Sequence, residues 1–313
     1  MPTLASVTAD ASTGDAASLV AGAEKAAFRG RPGDVLPLVE RVLADADADP
    51  GQKRIATWLR GVALGALGRY AEALTGLGPL VAAAATTPQE RLVAAFACAT
   101  VASLHRQVGS HSDAKILDER GLGLAEPLGS AGVEARLDCL IGLAADAVGS
   151  DDVETARRRV EEAAAVLAEA GAAAGWRPRC RLDWVRAEVA LLAGDAEAAI
   201  VAAGASYDTA VHAGAPRHAA KSLLFLGVAQ ATAGRDEAIA TLLRAADAAD
   251  ELGTVPLAWP ARAMLGALLG PGPAGVAALA AARADVTDIA EGLAPGVRER
   301  WLARPDLAAL LAG

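Results

Sequence analysis

The chain has 313 residues, 53% hydrophobic and 21% charged, the balance of a folded polypeptide with room for one large domain or two ordinary ones. Only 3% are aromatic, which argues against a β-sandwich or barrel built on Tyr, Phe and Val. A formal net charge of −9 argues against a nucleic-acid binder or a ligand of acidic membranes, both of which need an excess of Lys and Arg.

Residues 1–17 open without a basic segment or an apolar run, so no secretory signal is read and a flexible N-terminus is expected. From residue 18 to 292 the chain is periodic. Gly30, Gly68, Gly109, Gly149, Gly194, Gly234 and Gly270 recur at steps of 38, 41, 40, 45, 40 and 36 residues, each after a helical apolar stretch. A glycine just past a helix takes the left-handed conformation that ends it, so each marks a turn between two helices. A second ladder, Pro50, Pro88, Pro178, Pro216 and Pro256, marks the starts of first helices, where a missing N–H costs little. Thr87-Pro88-Gln89-Glu90 has the form of a capping box. Residues 293–313 hold Trp301, Leu302 and Leu307, and are expected to form capping helices over the last pair. The spacing thus predicts an all-α, right-handed superhelical solenoid of about seven degenerate helix-pair repeats of ~40 residues with a C-terminal cap.

The segment Gly61-Val62-Ala63-Leu64-Gly65-Ala66-Leu67-Gly68-Arg69-Tyr70-Ala71-Glu72-Ala73-Leu74 resembles the heart of a tetratricopeptide (TPR) repeat. In that family a small residue of the first helix meets an alanine twelve positions on; Gly61 with Ala73, Ala102 with Ala114, and Ala187 with Ala199 match, and Gly227 with Ala238 matches with one residue deleted. Most repeats lack the signature Trp and Tyr, and the period exceeds the family's 34 residues. Longer alanine-rich repeats of this kind, and the ending Leu293-Ala294-Pro295-Gly296-Val297-Arg298-Glu299-Arg300-Trp301, resemble the repeat arms of large bacterial nucleotide-binding transcription regulators. No GxxxxGK[ST] phosphate loop and no terminal DNA-reading helix pair accompany them. The resemblance therefore implies a docking or sensing arm.

Stacked first helices line a concave groove that takes extended peptides or partner helices. The helix phase places Trp58, Arg106, Arg136, Asp146, Arg181, Trp184, Glu188, Lys221 and Phe225 on that groove. Several are cationic, so an acidic or phosphorylated segment is the expected partner, with the two tryptophans as apolar anchors. A TPR clamp for C-terminal carboxylates, built on paired asparagines with lysines, is excluded by the absence of asparagine and the presence of only four lysines.

Other residues read as structural. Cys98, Cys139 and Cys180 fall 41 residues apart, in step with the repeat, as small packing residues; their odd number makes no disulfide framework. His105, His111, His212 and His218 differ in phase and suggest no metal site. Arg157-Arg158-Arg159 fans around its helix among acidic neighbours, and Asp45, Asp47 and Asp49 precede a helix N-terminus. Trp176-Arg177-Pro178-Arg179 with Arg181 and Trp184 is the richest aromatic–cation cluster, suited to surface structure as readily as to binding. The uncharged run between Arg262 and Arg283 has the length of a membrane span, but Gly270-Pro271-Gly272-Pro273 divides it into a helix–turn–helix.

The expectation is a cytoplasmic, non-catalytic protein- or peptide-binding scaffold in bacterial regulation or complex assembly. No cofactor, metal, nucleic acid or membrane partner is expected. Arg outnumbers Lys 25 to 4, as in GC-rich bacterial genomes. A sensor that binds a small ligand or signalling peptide in the groove stays open, as does an enzyme with a pocket in the solenoid interior, though no nucleophile–base arrangement is assigned. A homodimer stacked through its terminal repeats also stays open.

Overall fold

The structure, a computed structural model, describes residues 14–313; residues 1–13, most of the expected N-terminal extension, lie outside the described residues. Helix α1 (Gly14–Arg29) already begins within that extension and pairs with α2 (Val35–Ala44). The later pairs are α3 (Pro50–Ala66) with α4 (Tyr70–Ala82), α5 (Pro88–Gln107) with α6 (His111–Ala125), and α7 (Val133–Val148) with α8 (Val153–Ala170). They continue with α9 (Trp176–Leu192) and α10 (Ala196–His212), α11 (Pro216–Thr232) and α12 (Ala238–Leu252), and α13 (Val255–Leu269) and α14 (Pro273–Glu291). Two short helices, α15 (Pro295–Leu302) and α16 (Pro305–Ala312), close the chain. Each helix packs on the next and each first helix on the first helix of the following repeat, so the seven pairs stack as an all-α solenoid.

Both punctuation ladders act where the sequence places them, with instructive exceptions. Gly68, Gly109, Gly194, Gly234 and Gly270 take φ between 66° and 85° at the turns inside their repeats. Gly149 stays right-handed at φ −67°, and Asp151 takes the left-handed position instead, at φ 57°. Pro50, Pro88, Pro216 and Pro256 occupy the first two positions of α3, α5, α11 and α13, whereas Pro178 is the third residue of α9. The Thr87–Glu90 capping box forms, and Asp49 makes a second one with Gln52, its carboxylate accepting from the Gly51 amide at 2.7 Å.

Small residues set the distance between paired helices. Ala73, Ala102, Ala114, Ala187 and Ala199 are fully buried. At Gly61, however, the atoms occupying the place of a Cβ belong to Leu77, one turn beyond Ala73, and Gly227 faces Leu242 in the same way. Each glycine is thus a socket for a leucine of the second helix.

The solenoid also meets itself. One hydrophobic cluster joins Ala16 through Ala135 with Ala282 through Leu310. Helix α1 touches α11, the Gly68 turn lies against Ile289 and Pro256, and Arg304 donates to the Gln107 carbonyl at 3.3 Å. Trp301 and Leu307 are buried within this junction. The C-terminal helices therefore cover α14 and also tie it to the turn between α5 and α6.

Candidate functional site

The inner positions of four consecutive first helices carry charge. On α9, Arg177, Arg181, Trp184 and Glu188 recur at intervals of four, three and four residues, which puts them on one helical face. On α11, Arg217, Lys221 and Phe225 do the same, and on α7 the face reads Asp138, Gly142, Asp146. Gly142 has no side chain because Asp118, reaching in from α6, fills that space.

Two ion-pair groups result. The Arg106 guanidinium donates to Asp118 at 2.5 Å and to Asp146 at 3.1 Å, and His111 Nδ1 lies 3.4 Å from Asp146. Asp118 is 0% exposed, and burial, only partly offset by Arg106, pushes its carboxyl up to about 7; neighbouring Asp146 adds to the shift. One guanidinium does not stabilise two buried carboxylates completely. In the second group Arg177 donates to Glu134 and Asp138 at 2.7 Å each, and Arg181 Nε lies 3.2 Å from the other oxygen of Asp138. Burial lowers the Arg181 pKa despite Asp138.

Beside these lies a nest with cations but fewer counter-charges. Trp184 is stacked on His218 at 5.3 Å, and Trp176 meets the same imidazole edge-on at 4.8 Å. The Trp184 indole donates to Ser222 at 2.8 Å. Lys221 Nζ sits 4.5 Å from the Trp184 ring and 5.4 Å from Phe225, a cation–π arrangement. Burial brings Lys221 down to about 8, with Glu188 opposing and Arg217, Arg181 and Arg106 reinforcing the shift; burial raises Glu188. Burial and the surrounding cations hold His218 well below the usual histidine range, hence neutral.

Of the nine residues the sequence places on the groove, the structure gathers Arg106, Asp146, Arg181, Trp184, Glu188, Lys221 and Phe225 into this linked network. Trp58 meets the network only through Phe28: it stacks on Phe96 at 4.9 Å and meets Phe28, tilted, at 6.0 Å, its indole donating to Thr100. Arg136 is half-buried with its Nε unpartnered and makes no ion pair among the described residues. The network also contains Asp118, Asp138, Arg177, Arg217 and His218, which the helix phase alone does not assign to it. The interior is occupied at its α9 edge by α1: Phe28 lies under the Arg177 guanidinium at 5.0 Å and Arg29 over Trp176 at 6.0 Å.

Elsewhere, a depression of about 490 Å³ is lined by Trp176, Arg179, Asp208 and His212, but Arg179 already donates to the Gly171 carbonyl and His212 Nδ1 lies 2.7 Å from the Asp208 carbonyl. Cys98, Cys139 and Cys180 are free and fully buried; burial pushes the Cys98 thiol up to about 11 and Cys180 to about 12, far from a reactive thiolate. Among the described residues no group of His, Cys, Asp and Glu is arranged to hold a metal ion, and no helix is long and apolar enough to cross a membrane.

No protein-family model matches the chain, and no curated protein matches it. Solved structures do. A Rap protein complexed with competence and sporulation factor superposes with a TM-score of 0.67 at 12% identity, over 95% of this chain and 83% of that one. Aspartyl phosphate phosphatase F from Bacillus subtilis gives 0.50 at 12% identity, over 97% and 84%. A signal transduction ATPase with a tetratricopeptide repeat sensor from Pyrococcus horikoshii gives 0.49 at 13% identity, over 89% of this chain and 42% of that one. At such identities the likeness is one of fold: the chain is a TPR-like α-solenoid.

Proposed function

We propose that the chain is a non-catalytic regulatory scaffold whose inner face, on α9 and α11, binds a protein or peptide segment of acidic character. The observation that carries this reading is the placement of Arg181, Arg217, Lys221, Trp184 and Phe225 inside the solenoid. Burying an ion costs several kcal/mol, and replacing buried ion pairs by apolar groups of similar volume is often neutral or stabilising by about 1–4 kcal/mol. An interior serving stability alone would be filled with Leu and Ala, as it is between the helices of each pair. Cations beside indole and phenyl rings are instead the chemistry of a recognition surface. The Rap protein of the same fold, complexed with competence and sporulation factor, supports the reading.

The test is a native pull-down with the wild-type protein and an Arg217→Gln/Lys221→Gln variant of equal helicity as baits. A partner retained by the first and lost from the second is expected. Equal retention by both baits removes the inner face from the account.

A further inference from the structure

Within the α9–α11 network, Arg217 has no counter-charge of its own among the described residues. Arg106, Arg177 and Arg181 each have a carboxylate within 4.0 Å, and Lys221 is opposed by Glu188. Arg217 makes no ion pair among the described residues, and its Nε is shut off from solvent without a partner. The charged and polar groups around it are the Tyr70 phenol, across the interior on α4, and Arg181 on α9, with Lys221 and His218 on its own helix. Burial and Arg181 bring it down to about 10 while Tyr70 opposes.

Two independent features point the same way. Arg181 Nε, though close to Asp138, has no hydrogen bond. Helix α11 also begins here: Arg217 and His218 are its second and third residues, and no side chain caps its first amides. Unmet N–H donors, guanidinium groups and a helix N-terminus share one preference, for an oxyanion.

We propose that the interior around Arg217 is a seat for a single oxyanion, a carboxylate or a phosphate group, held by Arg217 and Lys221 with Arg181 beside them. The seat deepens the binding function proposed above and rests on the same inner face. The acidic group of the partner would enter here, between Tyr70 and the start of α11.

The probes are inorganic phosphate and acetate, each titrated against sodium chloride at matched ionic strength, with the unfolding midpoint as readout. The proteins are wild type, Arg217→Gln, Lys221→Gln and the exposed control Arg41→Gln. For wild type and Arg41→Gln, a saturable rise beyond chloride is expected with at least one probe. In Arg217→Gln the affinity should fall at least tenfold, and the unliganded midpoint should hold or rise, since an uncompensated charge has been removed. A rise with phosphate alone assigns the seat to a phosphate group, and one with acetate alone to a carboxylate. The proposal is overturned if neither probe exceeds chloride, if all four proteins rise equally, or if Arg217→Gln lowers the unliganded midpoint, which marks a structural arginine. Anion binding without a retained partner in the pull-down would leave the seat standing and remove the protein-binding reading; the reverse would remove only the seat.

Discussion

Asp118 sits with no exposure at all between Arg106 and the socket left by Gly142, and its carboxyl holds a proton up to about pH 7. Its folded pKa is raised above that of the unfolded chain, so between about pH 4 and 7 the folded state binds the extra proton. The stabilisation is largest at the acid end and falls as pH rises from about 4 to 7, by at most about 1.4 kcal/mol per pH unit. His218 acts oppositely: kept neutral when folded, it costs stability as pH falls below the ordinary histidine value near 6.5. The difference between wild type and Asp118→Asn in urea unfolding at pH 5, 6, 7 and 8 isolates the first effect. The advantage of wild type should shrink from pH 5 to 7 and level off by pH 8; a constant difference would contradict the assignment. Arg106, Asp146, Arg181, Glu188 and Lys221 are legible in sequence because they recur on the inner phase of first helices. Asp118 is not, since it lies on a second helix and enters only because residue 142, opposite, is glycine. Arg217 and His218 follow Pro216 and read as an ordinary helix start, so their long-range surroundings leave no local signature.

Within a helix pair the sockets make a sharp contrast. A Cβ on Gly61 would meet Leu77 side-chain atoms at 2.5–2.7 Å, whereas one on Gly204, inside α10, meets nothing within 4 Å. Gly61→Ala should therefore destabilise by about 1–3 kcal/mol through overpacking, and Gly204→Ala should stabilise by up to about 1 kcal/mol through helix propensity. Denaturant midpoints check both, and a stabilising Gly61→Ala would refute the socket. At this scale the sequence is most readable, because turns and helix starts are decided by residues in contact along the chain. Where it misleads, the competition is local too. Gly149 yields the left-handed position to Asp151, and Gly30 takes no positive φ; the chain after it passes through a 3₁₀ turn, Pro32–Asp34.

Across the whole molecule the main addition is self-contact. Pairing of α1 with α11, and of Arg304 with the end of α5, joins residues nearly 200 positions apart, and no period in the sequence encodes such a meeting. The capping role of Trp301 and Leu307 is visible as an apolar cluster after the last repeat, but its second task, bridging to α5, is not. Trp301→Ala should cost about 3–5 kcal/mol, and because the indole lies in a core shared by both ends it should also loosen the junction. A larger radius of gyration by small-angle scattering, with a lower unfolding midpoint, is the expected pair of results; a midpoint loss without expansion would limit Trp301 to capping.

The claim that the inner face is the working surface is tested most directly by photo-crosslinking in lysate. A benzophenone side chain is placed at Phe225, beside Lys221 on α11, and in a second protein at Val201, 73% exposed on α10. A discrete adduct is expected from position 225, absent from position 201 and lost when Arg217→Gln/Lys221→Gln is added. An adduct from position 201 alone would contradict the claim and move the binding surface to the outer helices.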